Sequence, residues 1–454
     1  MAHRSIIIRA NSLALVIVAS QLASITFASP EVPGAKQTRP IALIGGTVHT
    51  LDGPDIARGV VLFNKGKIVA VGEKVSLPAD VLKVDVTGKH VYPGLIETHS
   101  NIGLIEIGAV RATRDASETG SINPNVKAQV AVNPDSELIP VGRANGVLLS
   151  MSVPRGGLIS GQSALLQLDG WTWEHLTVRS PVGMHVNWPH MEPISDWWMK
   201  ETKKEQLAER DNALDDLRKA LDDVRAYVKA RRADPQRPID ARWEAMRGVL
   251  AGKVPIIVQA DGLQQIQSAV AFAAKQKLKL IIFGGYDAPH CAALLKKYNV
   301  PVIVGGVHRL PRRRHESYDT PFTVPARLHK AGVKFCISGT YQFGASMLRN
   351  LPYHAATAAA HGLAEREALK AITIYAAEIL GAQQHVGSLK AGKDATLFVA
   401  DGDILEVPTH VTAAYIQGRA VDLSNRHKRL YKKYQQRYQR QGDKRKRPDG
   451  AGKK

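Results

Sequence analysis

The texture of the chain changes at Pro93 and changes back near residue 395, and this double switch limits the folds open to it. Before Pro93, residues 41–51, 60–71 and 81–91 are β-branched runs separated by Asp52-Gly53-Pro54 and by residues 72–78, which read as turns. From there on, short apolar runs at 95–96, 146–153, 164–168, 182–186, 254–258, 278–283, 300–304 and 333–337 alternate with helical or irregular stretches. Such alternation calls for a parallel α/β sheet, and eight units predict a closed (β/α)8 barrel with its reactive groups just beyond the carboxyl ends of the strands. Strand texture returns at 395–399 and 414–421. One small β domain built from residues 41–92 and 395–423, with the barrel of residues 93–394 inserted, is the simplest way to join the two flanks.

Composition narrows the class. A hydrophobic content of 44% over 454 residues excludes a disordered polymer. The formal net charge is +20, but residues 424–454 carry thirteen Lys or Arg against Asp443 and Asp449, so that tail holds +11 and the body only +9. A mildly basic body argues against a specific nucleic-acid partner. The tail interleaves its cations with Tyr431, Tyr434 and Tyr438, which predicts a short helix at 429–441 and an anionic polymer or a membrane surface as its partner. Cys291 and Cys336 are too few for a disulfide framework or a thiolate zinc site.

Residues 1–28 read as an export signal. Arg4 and Arg9 precede the apolar stretch 13–27, and Thr26-Phe27-Ala28 fits a small-x-small cleavage site. The mature chain then starts near Ser29 and is periplasmic or extracellular, with surface association through the tail. An uncleaved anchor is the alternative, although the stretch is shorter than the ~20 residues of a span. Residues 195–233 form a helical insertion whose Leu207, Leu214, Leu217, Leu221, Val224 and Val228 share one stripe, suited to packing on the barrel or to a coiled-coil partner. Trp171, Trp173, Trp188, Trp197 and Trp198 gather either in a ligand groove or in the core between helix and barrel.

The strongest local signal is Pro93-Gly94-Leu95-Ile96-Glu97-Thr98-His99-Ser100-Asn101, which sets a histidine at the end of the first barrel strand. It resembles the amidohydrolase superfamily, in its imidazolonepropionase- and prolidase-like branch, where Pro-Gly-Leu-Ile-Asp-x-His-x-His places two metal-binding histidines. Residues 41–51 look like the family's opening strand. Gly387-Ser388-Leu389-Lys390-Ala391-Gly392-Lys393-Asp394-Ala395 looks like its closing segment. The resemblance implies a TIM-like (β/α)8 barrel inserted in a small β-sandwich domain formed by both chain ends, and hydrolysis of amide-type carbon–nitrogen bonds by a metal-activated water.

Carried over residue by residue, the metal shell is mostly substituted. His99 matches the first ligand, whereas Asn101, Gln259, Gly284 and Tyr341 stand where further histidines and the family's proton-accepting aspartate are expected. Oxygen and nitrogen donors on or just past the strands include Glu97, Asp169, His185, His190, Asp261, Asp287 and His308. His99 and Asp169 are therefore the expected metal residues, for one divalent ion, zinc or manganese, or for none. Asp261 is the expected base, and either the metal itself or Arg155 is the group that holds the carbonyl oxygen. Gly156 and Gly157, in a loop that lets backbone amides approach a ligand, and Arg312, Arg313 and Arg314, beyond the seventh strand, are the expected anion-binding residues. The expected activity is hydrolysis of a small amide or dipeptide-like substrate. The alternative is an impaired relative that binds an anionic small ligand without turnover.

Overall fold

The computed structural model describes residues 31–195, 197–340 and 344–445. The export signal and Tyr341 lie outside the described residues. Near the start, β1 (Ile41–Val48), β2 (Ile56–Asn64) and β3 (Lys67–Gly72) form an antiparallel meander. Two short strands, β4 (Leu82–Asp85) and β5 (His90–Pro93), both pair parallel with β1, the first along residues 41–44 and the second at 47–48. The division falls at Gly45, where φ is +90° and a Cβ would stand 2.5 Å from Thr87 Oγ1, so only glycine lets β1 change partner there. Leu397–Ala400 pairs antiparallel with β5 and carries Val411–Ile416 and Arg419–Ala420 outward, so both flanks of the chain enter one eight-stranded sheet. Period-two alternation sorts its faces: Leu43, Val61, Phe63, Val91, Leu397 and Val399 share one apolar cluster, Ala42, Val60 and Leu62 another.

Between the flanks the chain is mixed α/β. All eight apolar runs become strands: β6 (Leu95–Ser100), β7 (Val147–Ser152), β8 (Ile159–Gln162) with β9 (Ala164–Gln167), then β10 (Thr177–Arg179) as an addition, β11 (Met184–Asn187), β12 (Ile256–Ala260), β13 (Leu280–Gly284), β14 (Val302–Gly305) and β15 (Phe335–Ser338). They hydrogen-bond as two sheets, in the orders β10-β9-β7-β6 and β15-β14-β13-β12-β11-β8. The first sheet joins the second where β8 runs into β9 at Ser163. At the other seam, β15 reaches β6 through Ser338 Oγ and Gly339 N, which donate to the Glu97 carboxylate at 2.5 and 2.8 Å.

One expectation is corrected here. The third run is not parallel to its neighbours: β9 is antiparallel to β7, and β8 is antiparallel to β11. The cause is chain length. Only residues 153–158 separate β7 from β8, turning through Gly156 and Gly157 at φ +84° and +62°. A parallel return needs a crossover of about a dozen residues or more, so this segment can close only a hairpin. Residues that follow β9 therefore emerge at the end of the sheet opposite to the carboxyl ends of β11 to β15.

The long helix is Lys203–Ala233, starting later than residue 195 because Thr202 and Glu205 form a reciprocal capping box. Its stripe of Leu217, Leu221 and Val224 is buried in the main core, so the helix is laid against the body of the chain. The tail helix is Arg426–Arg445, longer at both ends than the expected 429–441.

Candidate functional site

Beyond the carboxyl ends of β11 to β14 lies a cleft of about 710 Å3, lined among others by His190, Gln259, Asp261, His308, Arg309 and Arg312. Asn187 and Gln259 belong also to an inner chamber of about 190 Å3, where His99, Arg155, Ser160, His185 and Phe283 form the wall. The two spaces share those lining residues and lie side by side, an outer and an inner part of the candidate site.

The inner part is held by stacked rings. His99, near the end of β6, lies on Phe283 with ring centroids 3.5 Å apart and 7° between planes, and faces the edge of His185 at 5.8 Å. Burial drives both imidazoles toward the neutral form: His185 falls to about 3, and His99 goes well below its ordinary 6.5, helped by His185 and by the charge of Arg155. His185 Nε2 is buried and has no hydrogen-bond partner among the described residues. Behind them Glu97 accepts from Ser338 Oγ, Gly339 N and His99 N, yet burial outweighs these bonds and raises its carboxyl to about 7.

The outer part is built on an ion pair. Asp261, just past β12, accepts from Tyr286 N at 3.2 Å and from Arg309 Nη1 at 3.3 Å. The Arg309 guanidinium also lies 4.9 Å from the centre of the Tyr286 ring. Gly284, at φ +103°, faces this carboxylate: a Cβ there would stand 2.9 Å from Asp261 Oδ1. Asp261 thus fills the space that a side chain on the last residue of β13 would need, the position where the resemblance implies a histidine ligand.

The expected site residues divide. His99, Arg155, Asp261 and Arg312 come to the cleft. Asp169 does not, because it follows the reversed β9: its carboxylate is buried at the far end, 3.1 Å from Arg143 and 3.2 Å from Arg419, and accepts from Gly34 N. Arg313 is engaged by Asp287 at 2.5 Å and Glu316 at 2.6 Å, and Arg314 is exposed outside the cleft lining, so the expected triple-arginine grip reduces to Arg312. Gly156 and Gly157 present carbonyls to Asn187 Nδ2, and a Cβ on Gly157 would stand 2.7 Å from Ser121 O. Those glycines let two loops touch. Among the tryptophans, Trp188 is buried beside the outer cleft, whereas Trp171, Trp197 and Trp198 are exposed, so they form neither one groove nor a common core.

Arg309 belongs to the basic run in which the sequence placed anion contacts, but those contacts were assigned to Arg312, Arg313 and Arg314 and not to it. It opens the basic run after β14, and its position directly beyond a strand end was the available signal. Asn101 is likewise diverted: its Oδ1 accepts from Ala345 N at 2.7 Å and anchors the turn Gly344–Asn350. Among the described residues, no three His, Cys, Asp or Glu side chains come close enough to share an ion. The donors present among the described residues do not fit the metal centre that the resemblance implies.

Comparison with known proteins gives the same relationship. Residues 287–423 match the model of the amidohydrolase family. The chain is 22% identical to amidohydrolase tasK of Hapsidospora irregularis over 82% of its own length but only 41% of that protein. It is 26% identical to an imidazolonepropionase of Symbiobacterium thermophilum, covering 82% of this chain and 89% of that one. An amidohydrolase structure from Thermotoga maritima superposes with a TM-score of 0.74 at 28% identity, over 84% of this chain and 99% of the other.

Proposed function

The chain is an amidohydrolase relative, and we propose that it is a hydrolase that cleaves a carbon–nitrogen bond in a small amide, cyclic amide or dipeptide-like substrate bearing an anionic group. The observation that carries this reading is the adjoining pair of spaces, with the Asp261–Arg309 pair and Arg312 in the outer one and the neutral His99–His185 pair with Arg155 in the inner one. We take the two central sheets to close into one barrel with this cleft at its mouth, a reading supported by the Glu97 bridge between β6 and β15.

In the proposed reaction a water oxygen bonds to the carbonyl carbon, the carbon–nitrogen bond breaks, and the products are a carboxylic acid and an amine. Asp261 takes the proton released by the water and returns it to the leaving nitrogen. Arg155 holds the oxygen on which negative charge develops. Arg312 contacts the substrate's anionic group. The uncharged imidazoles admit a polar, uncharged amide to the inner chamber without adding a repelling or attracting ion.

A panel of acyl-amino acids, dipeptides and cyclic amides, assayed with and without added manganese or zinc, tests this. Turnover that is lost in both His99→Ala and Asp261→Asn supports it. The second reading, binding without turnover, is favoured by the lack of a metal-holding group among the described residues. Calorimetric binding of an anionic amide with no turnover, weakened in Arg312→Ala, would establish that reading instead.

A further inference from the structure

The helix Arg426–Arg445 stands apart from the proposed reaction. Asn425 caps it, its Oδ1 accepting from Lys428 N at 3.0 Å. Its first turn is tied down: Lys428 Nζ donates to Leu423 O at 3.0 Å, His427 meets Arg349 at 2.9 Å, and Arg429 reaches Glu31 and Glu137 at 3.7 and 3.6 Å. From Leu430 to Gln441 every side chain is exposed. Arg426, Lys428, Arg429, Lys432, Lys433, Arg437 and Arg440 are joined by no Asp or Glu between residues 426 and 441.

At about 100° per residue, Leu430, Tyr431, Tyr434 and Tyr438 fall within an arc of about 100°. Arg426, Lys433 and Arg437 border that arc on one side and Lys428 stands beyond its other edge, while Lys432, Arg429 and Arg440 lie on the back. The rings occupy one face and the cations its margins and back. A second copy of this helix would set like charges against each other, and a nucleic acid would want cations and stacking rings on the same face. An interface between water and anionic lipid matches both features. Phenol rings settle at headgroup depth, and long cationic side chains extend from the margins to phosphate and carboxylate groups.

We propose that this helix lies along an anionic phospholipid surface and holds the enzyme body against it. Attachment is peripheral: among the described residues, no helix is long and apolar enough to cross a membrane.

The test is co-sedimentation of the full chain with phosphatidylcholine vesicles, alone or with about one third phosphatidylserine. Binding is expected only to the anionic vesicles, falling at least about tenfold as salt rises from about 0.1 to 0.5 M. Combining Lys432→Gln, Lys433→Gln and Arg437→Gln should lower partitioning by about fivefold per charge removed. Combining Tyr431→Ser, Tyr434→Ser and Tyr438→Ser should lower it about tenfold and leave the salt dependence in place. All these side chains are exposed, so the melting temperature should not move. Equal binding to neutral vesicles, no binding to anionic ones, or full binding by the tyrosine variant would overturn the proposal; the last result would mean that charge alone recognises any polyanion.

Discussion

Replacing Glu97 by glutamine removes the carboxyl that bridges β6 to β15 and keeps its shape. In the folded chain, burial holds this carboxyl at about 7, against an ordinary 4.5. Between those values the folded state keeps a proton that the unfolded chain has released. Stability is therefore full below 4.5, falls as pH rises toward 7, and stays lowered above it. With these two values, unfolding free energy changes by about 2–3 kcal/mol between about pH 5 and pH 8. Glutamine removes this dependence at a fixed penalty, because its amide nitrogen must face either the Gly339 N–H or the Ser338 and His99 donors, at about 1–3 kcal/mol. The difference between variant and wild type should thus shift by about 2–3 kcal/mol in the variant's favour from about pH 5 to pH 8, measured by urea unfolding with an unchanged slope. His99 and His185, whose lowered values make stability fall as pH drops below 6.5, are present in both proteins and largely cancel. A difference that stays flat within about 0.5 kcal/mol would refute the assignment of a buried, proton-holding carboxyl to this seam.

Two further substitutions separate structure from site. Asp169→Asn removes the carboxylate charge that faces Arg143, whose side chain is 3% exposed, and Arg419; it should cost about 3–5 kcal/mol in a denaturant melt while the folded fraction keeps its kcat/KM, and selective loss of turnover would return Asp169 to the reaction. Gly284→Ala forces a side chain into φ +103° and against Asp261; it should cost about 1–3 kcal/mol and depress turnover with it, and an unchanged melt would mean that the carboxylate has room to spare.

What the sequence disclosed follows the range of the forces involved. Local texture was enough for the strands: each apolar run became one, and the Pro93-Gly94 junction marks the step from β5 to β6. The direction of β8 and β9 was legible too, in the brevity of residues 153–158, but a tally of apolar runs carries no arrow. Asp169 was misplaced as a consequence of that reversal. Its partners Arg143 and Arg419 lie far from it in sequence, and no motif announces such a pairing. His99 was found through its motif, whereas its stacking on Phe283 depends on how β13 sits beside β6, which spacing does not encode. Arg309 differs from its basic neighbours only by facing Asp261, and that too arises from three-dimensional packing.

The sheet assembled from both flanks sets a timetable for synthesis. β5 emerges from the ribosome early, yet its antiparallel neighbour, Leu397–Ala400, comes roughly three hundred residues later, a delay of about 15–60 s at typical elongation rates. Throughout that interval the His90–Pro93 edge has no neighbour on that side, and it offers unpaired backbone donors and acceptors to any passing strand. The nascent chain is most prone to aggregate while its central strands are being made, and the late arrival of Leu397–Ala400 ends that exposure.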